Sequence, residues 1–461
     1  MAYQSVNPHS GKSLKAFDEL TDKALEDALA QADACFDQWR QTTYADRAAV
    51  IAKAAMLLRK GVDEYATLVT LEMGKLIEQA RGEVMLSAAI LDYYAKNAEA
   101  FLAPEQLKPA TGEAVIESSP LGVLFGVQPW NFPYYQLARF AAPNLMAGNV
   151  VMVKHAASVP QCALAFEKLW REAGAPAGAY TNLFISHDQV NHVIDDRRVR
   201  GVALTGSVEA GKSVAAKAGQ AIKKSTMELG GSDAFIVLQD ADLAGAIKSA
   251  VMGKMNNTGQ SCVAAKRFIV VEALADRFIS GFQQALAALE PGDPMDQATT
   301  LGPLSSEGAL TKLLGQVEQA VAKGATLVMG GKRIERPGYF MQPTILSDID
   351  RDNPAFNEEF FGPVALFFRA RDEDHAVALA NDSQFGLGGS VYTQDIARGK
   401  RVASRVQTGM MFINQPTGSS PDLPFGGIGD SGYGRELSRL GIQEFVNKKL
   451  VCVPVTTGAN A

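Results

Sequence analysis

Cys262 is the residue of this sequence whose surroundings best suit a nucleophile. It closes the polar, glycine-containing stretch Asn256-Asn257-Thr258-Gly259-Gln260-Ser261, a setting that none of the other three cysteines shares. Cys35 and Cys162 fall in helical apolar patterns and Cys452 in a strand-like run, the ordinary positions of a small buried hydrophobe. A thiol has a reference pKa of about 8.5 and becomes a strong nucleophile once ionised. Upstream, Glu228-Leu229-Gly230-Gly231 places a carboxylate where a strand-like run meets a glycine turn. That position suits a general base, though a glutamate at a strand end is also a common surface residue.

Such groups need strand ends or loops to hold them. Apolar runs that read as buried strands lie at 122–128 (GVLFGVQ), 150–154 (VVMVK), 181–186 (TNLFIS), 200–205 (RGVALT) and 225–229 (STMEL), with helix-like segments between them. This alternation predicts a parallel sheet with helices on both faces. A second series, near 233–238, 267–272, 365–369 and 409–413, predicts a second α/β domain. Before both, Leu25, Leu29, Ala32, Phe36 and Trp39 recur at helical spacing, and another helical run follows from Ala45. In doubly wound sheets, ligands bind beyond the carboxyl ends of the strands. The uncommon residues collect there: Trp130 and Asn131 between two prolines, Lys154, Gly206 with Ser207, and Glu228 before Gly230 and Gly231. Four such ends on one edge are more than packing requires. The segment 112–119 and the tail 448–455 read as strands without sequence neighbours, and such edges are often paired across a subunit interface.

The 461 residues are 47% hydrophobic and 20% charged, an ordinary globular composition for two or three domains. The formal charge of −6 is spread along the chain, and no basic stripe suits nucleic acid or an anionic membrane. The four cysteines show no paired spacing, which argues against a disulfide framework or a zinc site. With neither a signal-like N-terminus nor an apolar run of about 18 residues, the expected location is cytoplasmic. One motif points elsewhere. GSVEAGKS (206–213) matches the phosphate loop of nucleotide triphosphatases between a strand and a helix, and AFIVLQD, ending at Asp240, could serve as its magnesium strand. A glycine turn at a helix start holds the pyrophosphate of a dinucleotide equally well, or nothing at all.

Seven segments taken together narrow the choice. PWNFP (129–133), VVMVK (150–154), the TGS turn (205–207), MELGG (227–231), GQSC (259–262), EEFFGP (358–363), and PFGG with SGYGRE (424–427 and 431–436) follow one another along nearly the whole chain. In that order they resemble the aldehyde dehydrogenase superfamily. The resemblance implies an α/β fold: a doubly wound cofactor domain (1–107 and 123–230), a second α/β catalytic domain carrying the nucleophile (231–430), and oligomerisation segments (108–122 and 440–461) building a homodimer or homotetramer. It implies that Cys262 attacks an aldehyde carbon while Asn131 and the Cys262 backbone N–H hold the oxyanion. Hydride then passes to NAD or NADP, and Glu228 activates the water that hydrolyses the thioester. The presence of Glu228 favours a free acid over transfer to coenzyme A. No metal is implied. By the same resemblance Lys154 meets the adenosine ribose and Gly206 with Ser207 the pyrophosphate. Glu359 binds the nicotinamide ribose beside Phe361, and Trp130 and Leu229 complete the cofactor set. Glu436 matches an acid near the proton exit path, although a structural ion pair would look the same.

Two departures matter. Many relatives carry a glutamate three residues after the lysine, which takes the ribose 2′-hydroxyl and repels a 2′-phosphate; here that position is Ala157, so both NAD and NADP are expected. The G-x-G-x-x-G fingerprint is missing, as it is throughout this superfamily. Within the superfamily, 131–149 (NFPYYQLARFAAPNLMAGN), Lys154-His155-Ala156 and 414–427 (NQPTGSSPDLPFGG) are most similar to succinate-semialdehyde dehydrogenases of a short bacterial and cyanobacterial type. A helix opening after Pro133 would turn Tyr135 and Arg139 toward the side of Asn131; an arginine on a helix is otherwise ordinarily solvated. The resemblance implies that Arg139 and Ser419 bind the substrate carboxylate, with Trp130 and Phe425 lining the tunnel. The competing readings are a broad or glutarate-semialdehyde dehydrogenase, a silent scaffold with the same fold, and the phosphate-loop enzyme. Intact Cys262, Glu228 and Asn131 argue against the scaffold.

Overall fold

Strands with near-continuous apolar sequence suit the centre of a parallel sheet, where both faces are covered. The computed structural model, which describes residues 3–110 and 112–454, builds its first large sheet from such strands. Tyr180–Asn182, Val150–His155, Val123–Gln128, Val199–Thr205 and Lys224–Glu228 lie side by side and all run parallel. In chain order this is 3-2-1-4-5, so the winding reverses between Val123–Gln128 and Val199–Thr205. A ligand crevice belongs outside the carboxyl ends at such a reversal. The short strand Gly432–Tyr433 returns from far along the chain and pairs antiparallel with Lys224–Glu228. The long helix Ile77–Phe101 packs against Pro133–Ala147, the helix that leaves the first of these strands.

The second sheet runs Thr326–Met329, Thr344–Ser347, Val364–Ala370, Ala265–Val271, Asp233–Val237, Gly389–Tyr392 and Phe412–Ile413, with only the first strand antiparallel. Each sheet has its own apolar core. One draws mostly on residues before 230, the other on residues 234–406.

Several elements differ from the sequence pattern. The run 181–186 is strand only at its start; Leu183, Phe184 and Ile185 are apolar because they are buried coil under the sheet edge. The strand near 409–413 shrinks to Phe412–Ile413, and its inner neighbour Gly389–Tyr392 escapes a pattern search because it is short and follows two glycines. An N-terminal hairpin, Tyr3–Asn7 with Lys12–Phe17, is too polar to show as strands. The two edge segments find each other within the chain: Val446–Val453 pairs antiparallel along the whole of Glu113–Pro120, and Glu105–Leu107 adds a third strand. The expected pairing across a subunit interface is therefore not needed to explain either segment, and Val455 lies outside the described residues. No helix among the described residues is long and apolar enough to cross a membrane.

Candidate active site

The loop before Cys262 is backbone in an uncommon conformation, held from several sides. Helix Leu243–Met255 runs into a turn of 3-10 helix, Asn256–Gly259, in which Asn257 (φ 53°) and Thr258 (φ 54°) are left-handed. Each such residue costs about 1–3 kcal/mol and persists only where its surroundings fix it. Here Asn257 donates from Nδ2 to the carbonyls of Asn131 (2.9 Å) and Gln260 (3.1 Å), and from its backbone N–H to Gln79 Oε1 (2.9 Å). Thr258 donates to Gly302 O at 3.3 Å. Gly259, at φ 77°, has no substitute, because a Cβ there would lie 2.1 Å from the carbonyl oxygen of Gly362. The loop thereby packs against Gly362 and Pro363 and brings Cys262, half-buried, to the lining of a cleft of about 950 Å³.

Asn131 reaches the same point from the first sheet. Pro133 opens the helix Pro133–Ala147, and Glu83 caps it, accepting from the N–H groups of Tyr134 (2.8 Å) and Tyr135 (3.2 Å) through Oε1. Glu83 in turn pairs with Lys75, both fully buried, and Lys75 donates to Asn131 O at 2.8 Å. The Asn131 amide is oriented from both ends. Gln136 Nε2 donates to its Oδ1 at 3.0 Å, and its Nδ2 donates to Gln260 O at 3.1 Å. One Nδ2 hydrogen is left over, and Asn131 and Cys262 line the same cleft. Lys75, Glu83 and Gln136 were not singled out from the sequence; the spacing from Asn131 to Gln136 carried the one usable hint.

Glu228 ends its strand buried, with no protein hydrogen-bond partner on either carboxyl oxygen. Burial pushes its carboxyl well above the usual range, Arg139 draws it back and Glu436 pushes it further up. Burial likewise pushes the Cys262 thiol up to about 12, against the pull of Arg139 and Lys266. Burial thus favours the protonated form of both groups.

Arg139 is not a solvated helix arginine. It is 2% exposed and stacks between the rings of Phe425 (4.5 Å) and Tyr135 (5.0 Å). Its Nε pairs with Glu436, while Nη1 donates to the Tyr135 hydroxyl (3.1 Å) and Nη2 to Thr205 Oγ1 (3.2 Å). Tyr135 passes the chain on, donating to Ser419 Oγ at 2.9 Å. The backbones of Phe425 and Glu436 pair reciprocally at 2.8 Å, which fixes the acid and the aromatic ring together. Arg139, Ser419, Phe425 and Glu436 thus form one connected group behind the cleft.

Trp130, Asn131, Gly206, Ser207, Leu229, Cys262, Glu359 and Phe361 line the cleft itself. Trp130 and Phe361 meet edge to face at 5.8 Å, and Glu359 accepts from the Gly231 N–H at 3.1 Å. Ser207 caps the helix Val208–Gln220, accepting from the Ala210 N–H at 3.2 Å. Lys154 and Ala157 stand off this cleft, beside the N-terminal hairpin: Lys154 Nζ lies over the Tyr3 ring at 5.5 Å, and the Gln4 N–H donates to Ala157 O at 2.9 Å.

The phosphate-loop reading fails on geometry. Val208, Glu209, Ala210 and Gly211 are already helical, so no loop remains to wrap a triphosphate, and Lys212 points out at the surface beside Asp430. Asp240 belongs to the other sheet, where it accepts from Thr393 and Arg398.

The sequence model of the aldehyde dehydrogenase family matches residues 1–451. The chain is 51% identical over 449 residues to a succinate-semialdehyde dehydrogenase (NADP+) of Deinococcus radiodurans, covering 97% of this chain and 94% of that one. It is 44% identical to a probable succinate-semialdehyde dehydrogenase (NADP+) of Synechocystis, with 98% and 100% covered. The crystal structure of succinic semialdehyde dehydrogenase from Streptococcus pyogenes in complex with NADP+ is similar at a TM-score of 0.97, with 46% identity over 98% of this chain and 100% of that one. The chain belongs to the aldehyde dehydrogenase family.

Proposed function

We propose that this aldehyde dehydrogenase oxidises succinate semialdehyde to succinate, with NADP or NAD as hydride acceptor, through a thioester on Cys262. The observation that carries the substrate is the buried Arg139–Tyr135–Ser419 chain behind the nucleophile, together with the activity named for the relatives. A carboxylate entering a desolvated tunnel needs fixed donors in place of its water. The Ser419 hydroxyl, whose own hydrogen is free because it accepts from Tyr135, and the Arg139 guanidinium supply them. Trp130 and Phe425 bound the tunnel.

In this reading the Cys262 sulfur attacks the aldehyde carbon, and the free hydrogen of Asn131 Nδ2, with the Cys262 backbone N–H, receives the developing oxyanion. The bound cofactor supplies the hydride acceptor. After hydride loss Glu228, deprotonated, activates the water that cleaves the thioester. Glu436, ion-paired to Arg139, is where protons would leave this pocket.

Whether the residues present fit a dinucleotide can be judged from the cleft. It lies at the winding reversal of the first sheet, has a helix start at Ser207 for the pyrophosphate, and has Glu359 for the nicotinamide ribose. Gly206 leaves the turn free of a side chain, while Leu229 and Phe361 give apolar walls. Lys154 would meet the adenosine ribose, and Ala157 leaves room for a 2′-phosphate. We assign 1–107 and 123–230 to the cofactor domain, 231–430 to the catalytic domain, and 108–122 with 440–461 to oligomerisation, in a cytoplasmic homodimer or homotetramer. Reduced-cofactor absorbance with succinate semialdehyde, glutarate semialdehyde and butanal tests the proposal. Turnover of succinate semialdehyde no better than of butanal would remove the substrate assignment.

A further inference from the structure

Lys266 has no part in the chemistry above, yet it is fully buried beside the nucleophile. It stands four residues after Cys262 at the start of the strand Ala265–Val271, and its Nζ touches three oxygens: Ser261 O at 2.8 Å, Cys262 O at 2.9 Å and Glu359 Oε1 at 3.0 Å. An ammonium has three N–H donors and no acceptor. Two of them go to the carbonyls, and the charge is paired with the Glu359 carboxylate. The same Glu359 oxygen accepts from the Gly231 N–H, and a Cβ on Gly230 would lie 2.3 Å from its other oxygen, so the carboxylate rests on the Gly230-Gly231 backbone.

The simpler account is that Lys266 satisfies two carbonyls in a buried turn. Two neutral carbonyls need no cation, and an ammonium out of water is costly without a counter-ion. Its counter-ion here is a carboxylate that lines the cleft, 19% exposed, on a segment of the chain far from the thiol.

We propose that Lys266 is a positioning residue that ties the nucleophile loop to the carboxylate receiving the nicotinamide ribose, so that thiol and hydride acceptor are set by one shared cation. This rests on the roles given to Cys262 and Glu359, and it adds a coupling between them. Lys266→Met keeps most of the side-chain length and removes all three donors. The KM for NADP should then rise about ten-fold, what loss of a charge-assisted hydrogen bond ordinarily costs. The burst of reduced cofactor should slow, while the KM for the aldehyde changes far less.

A second readout is the pH profile of Cys262 alkylation by iodoacetamide in the cofactor-free enzyme. The charged groups facing the thiol are Arg139, Lys266, Glu228 and Glu359. Lys254, on the neighbouring helix, is buried and has its amine pushed well below the ordinary range by burial and by Lys266. Removing the Lys266 cation should move the alkylation midpoint to higher pH, and Lys266→Arg should restore both readouts in part. A lowered melting temperature with cofactor KM and alkylation profile unmoved would overturn the proposal. Should Lys266→Met fail to fold, the variant Lys266→Met with Glu359→Gln removes the stranded carboxylate. It should bind NADP no worse than Glu359→Gln alone, and additive losses would overturn the coupling. If Cys262→Ala and Glu359→Gln were both harmless, the site reading itself would fail. If they are harmful and Lys266→Met is neutral, only this inference falls.

Discussion

Arg139 decides whether the substrate assignment stands, and its surroundings dictate how it must be perturbed. A guanidinium carries five N–H donors. Two donate to Tyr135 and Thr205, and the charge is already shared with Glu436 through an ion pair at Nε. Removing the guanidinium leaves the substrate carboxylate unpaired, at about 2–5 kcal/mol. At 1.4 kcal/mol per decade the lower figure is roughly thirty-fold in kcat/KM. The same change strips Glu436 of its partner, and breaking a buried pair from one side costs about 3–5 kcal/mol of stability. That is a large share of the usual total of about 5–15 kcal/mol. Glu436 can relieve part of it by binding a proton, since burial already pushes its carboxyl up. The clean comparison is therefore Arg139→Met with Glu436→Gln against Glu436→Gln alone. The double variant should lose roughly thirty-fold or more in kcat/KM for succinate semialdehyde. Butanal, with the same carbon count and no carboxylate, should lose far less. Equal losses on the two aldehydes, or a parent enzyme that prefers butanal, would refute the reasoning and leave the family assignment untouched.

Cys262→Ala should abolish aldehyde oxidation and still bind cofactor, measured by quenching of reduced-cofactor fluorescence; residual turnover above a trace would deny it the covalent step. Glu228→Gln should give one burst of reduced cofactor and then stall, and a variant with uniformly slow hydride transfer and no burst would refute its role. The same variant has a stability signature. A carboxyl raised in the folded state costs nothing in acid and loses stability as pH rises through the folded value, so Glu228→Gln should match the parent's melting temperature in acid and exceed it in alkali. Equal melting curves at every pH would show that Glu228 is not the buried, proton-holding group described. The enzyme should accept both cofactors, and Ala157→Glu should weaken NADP by about ten-fold, or about 1.4 kcal/mol, against NAD. A parent that rejects NADP outright would place the selectivity elsewhere.

Much of this arrangement was legible because long apolar runs and rare residue types travel together. The strands ending at Gln128, His155, Thr205 and Glu228 are buried on both faces, so their hydrophobicity announced them, and the residues at their tips stood out against it. Cys262 was separable from Cys35 and Cys162 for the same reason: its neighbours are polar where theirs are apolar. What the pattern concealed is chiefly partnership. Arg139 reads as any helix arginine until Glu436 and Phe425 come back from near the C-terminus to meet it. Lys75 and Glu83 carry no distinguishing pattern, yet Glu83 caps Pro133–Ala147 and Lys75 holds Asn131. Apolar letters also misled where burial occurs without a ladder, as in Leu183–Ile185, and polar letters hid the strands of the N-terminal hairpin.

The charges around the thiol explain why so many of these partners are buried. Two cations, Arg139 and Lys266, pull the Cys262 proton off; two carboxyls, Glu228 and Glu359, and burial above all keep it on. Burial is the largest of these influences and holds the thiol on the protonated side. Burial holds the Glu228 carboxyl on the protonated side as well. Its own proton is poised, however, because Arg139 and Arg435 draw it down while Glu436 and Glu444 push it up. Glu436 sits against Arg139, and Glu444 stands nearer solvent, 22% exposed, accepting from the Arg435 N–H at 2.8 Å and pairing with Lys224 at 3.4 Å. Carboxyls thus alternate with cations from the thiol toward the surface. Each acid raises its neighbour's proton affinity and each cation lowers it. If Glu228 is the general base proposed above, the cations Arg139 and Arg435 are the groups that would let it give up its proton while buried, because they alone draw its carboxyl down against burial, Glu436 and Glu444.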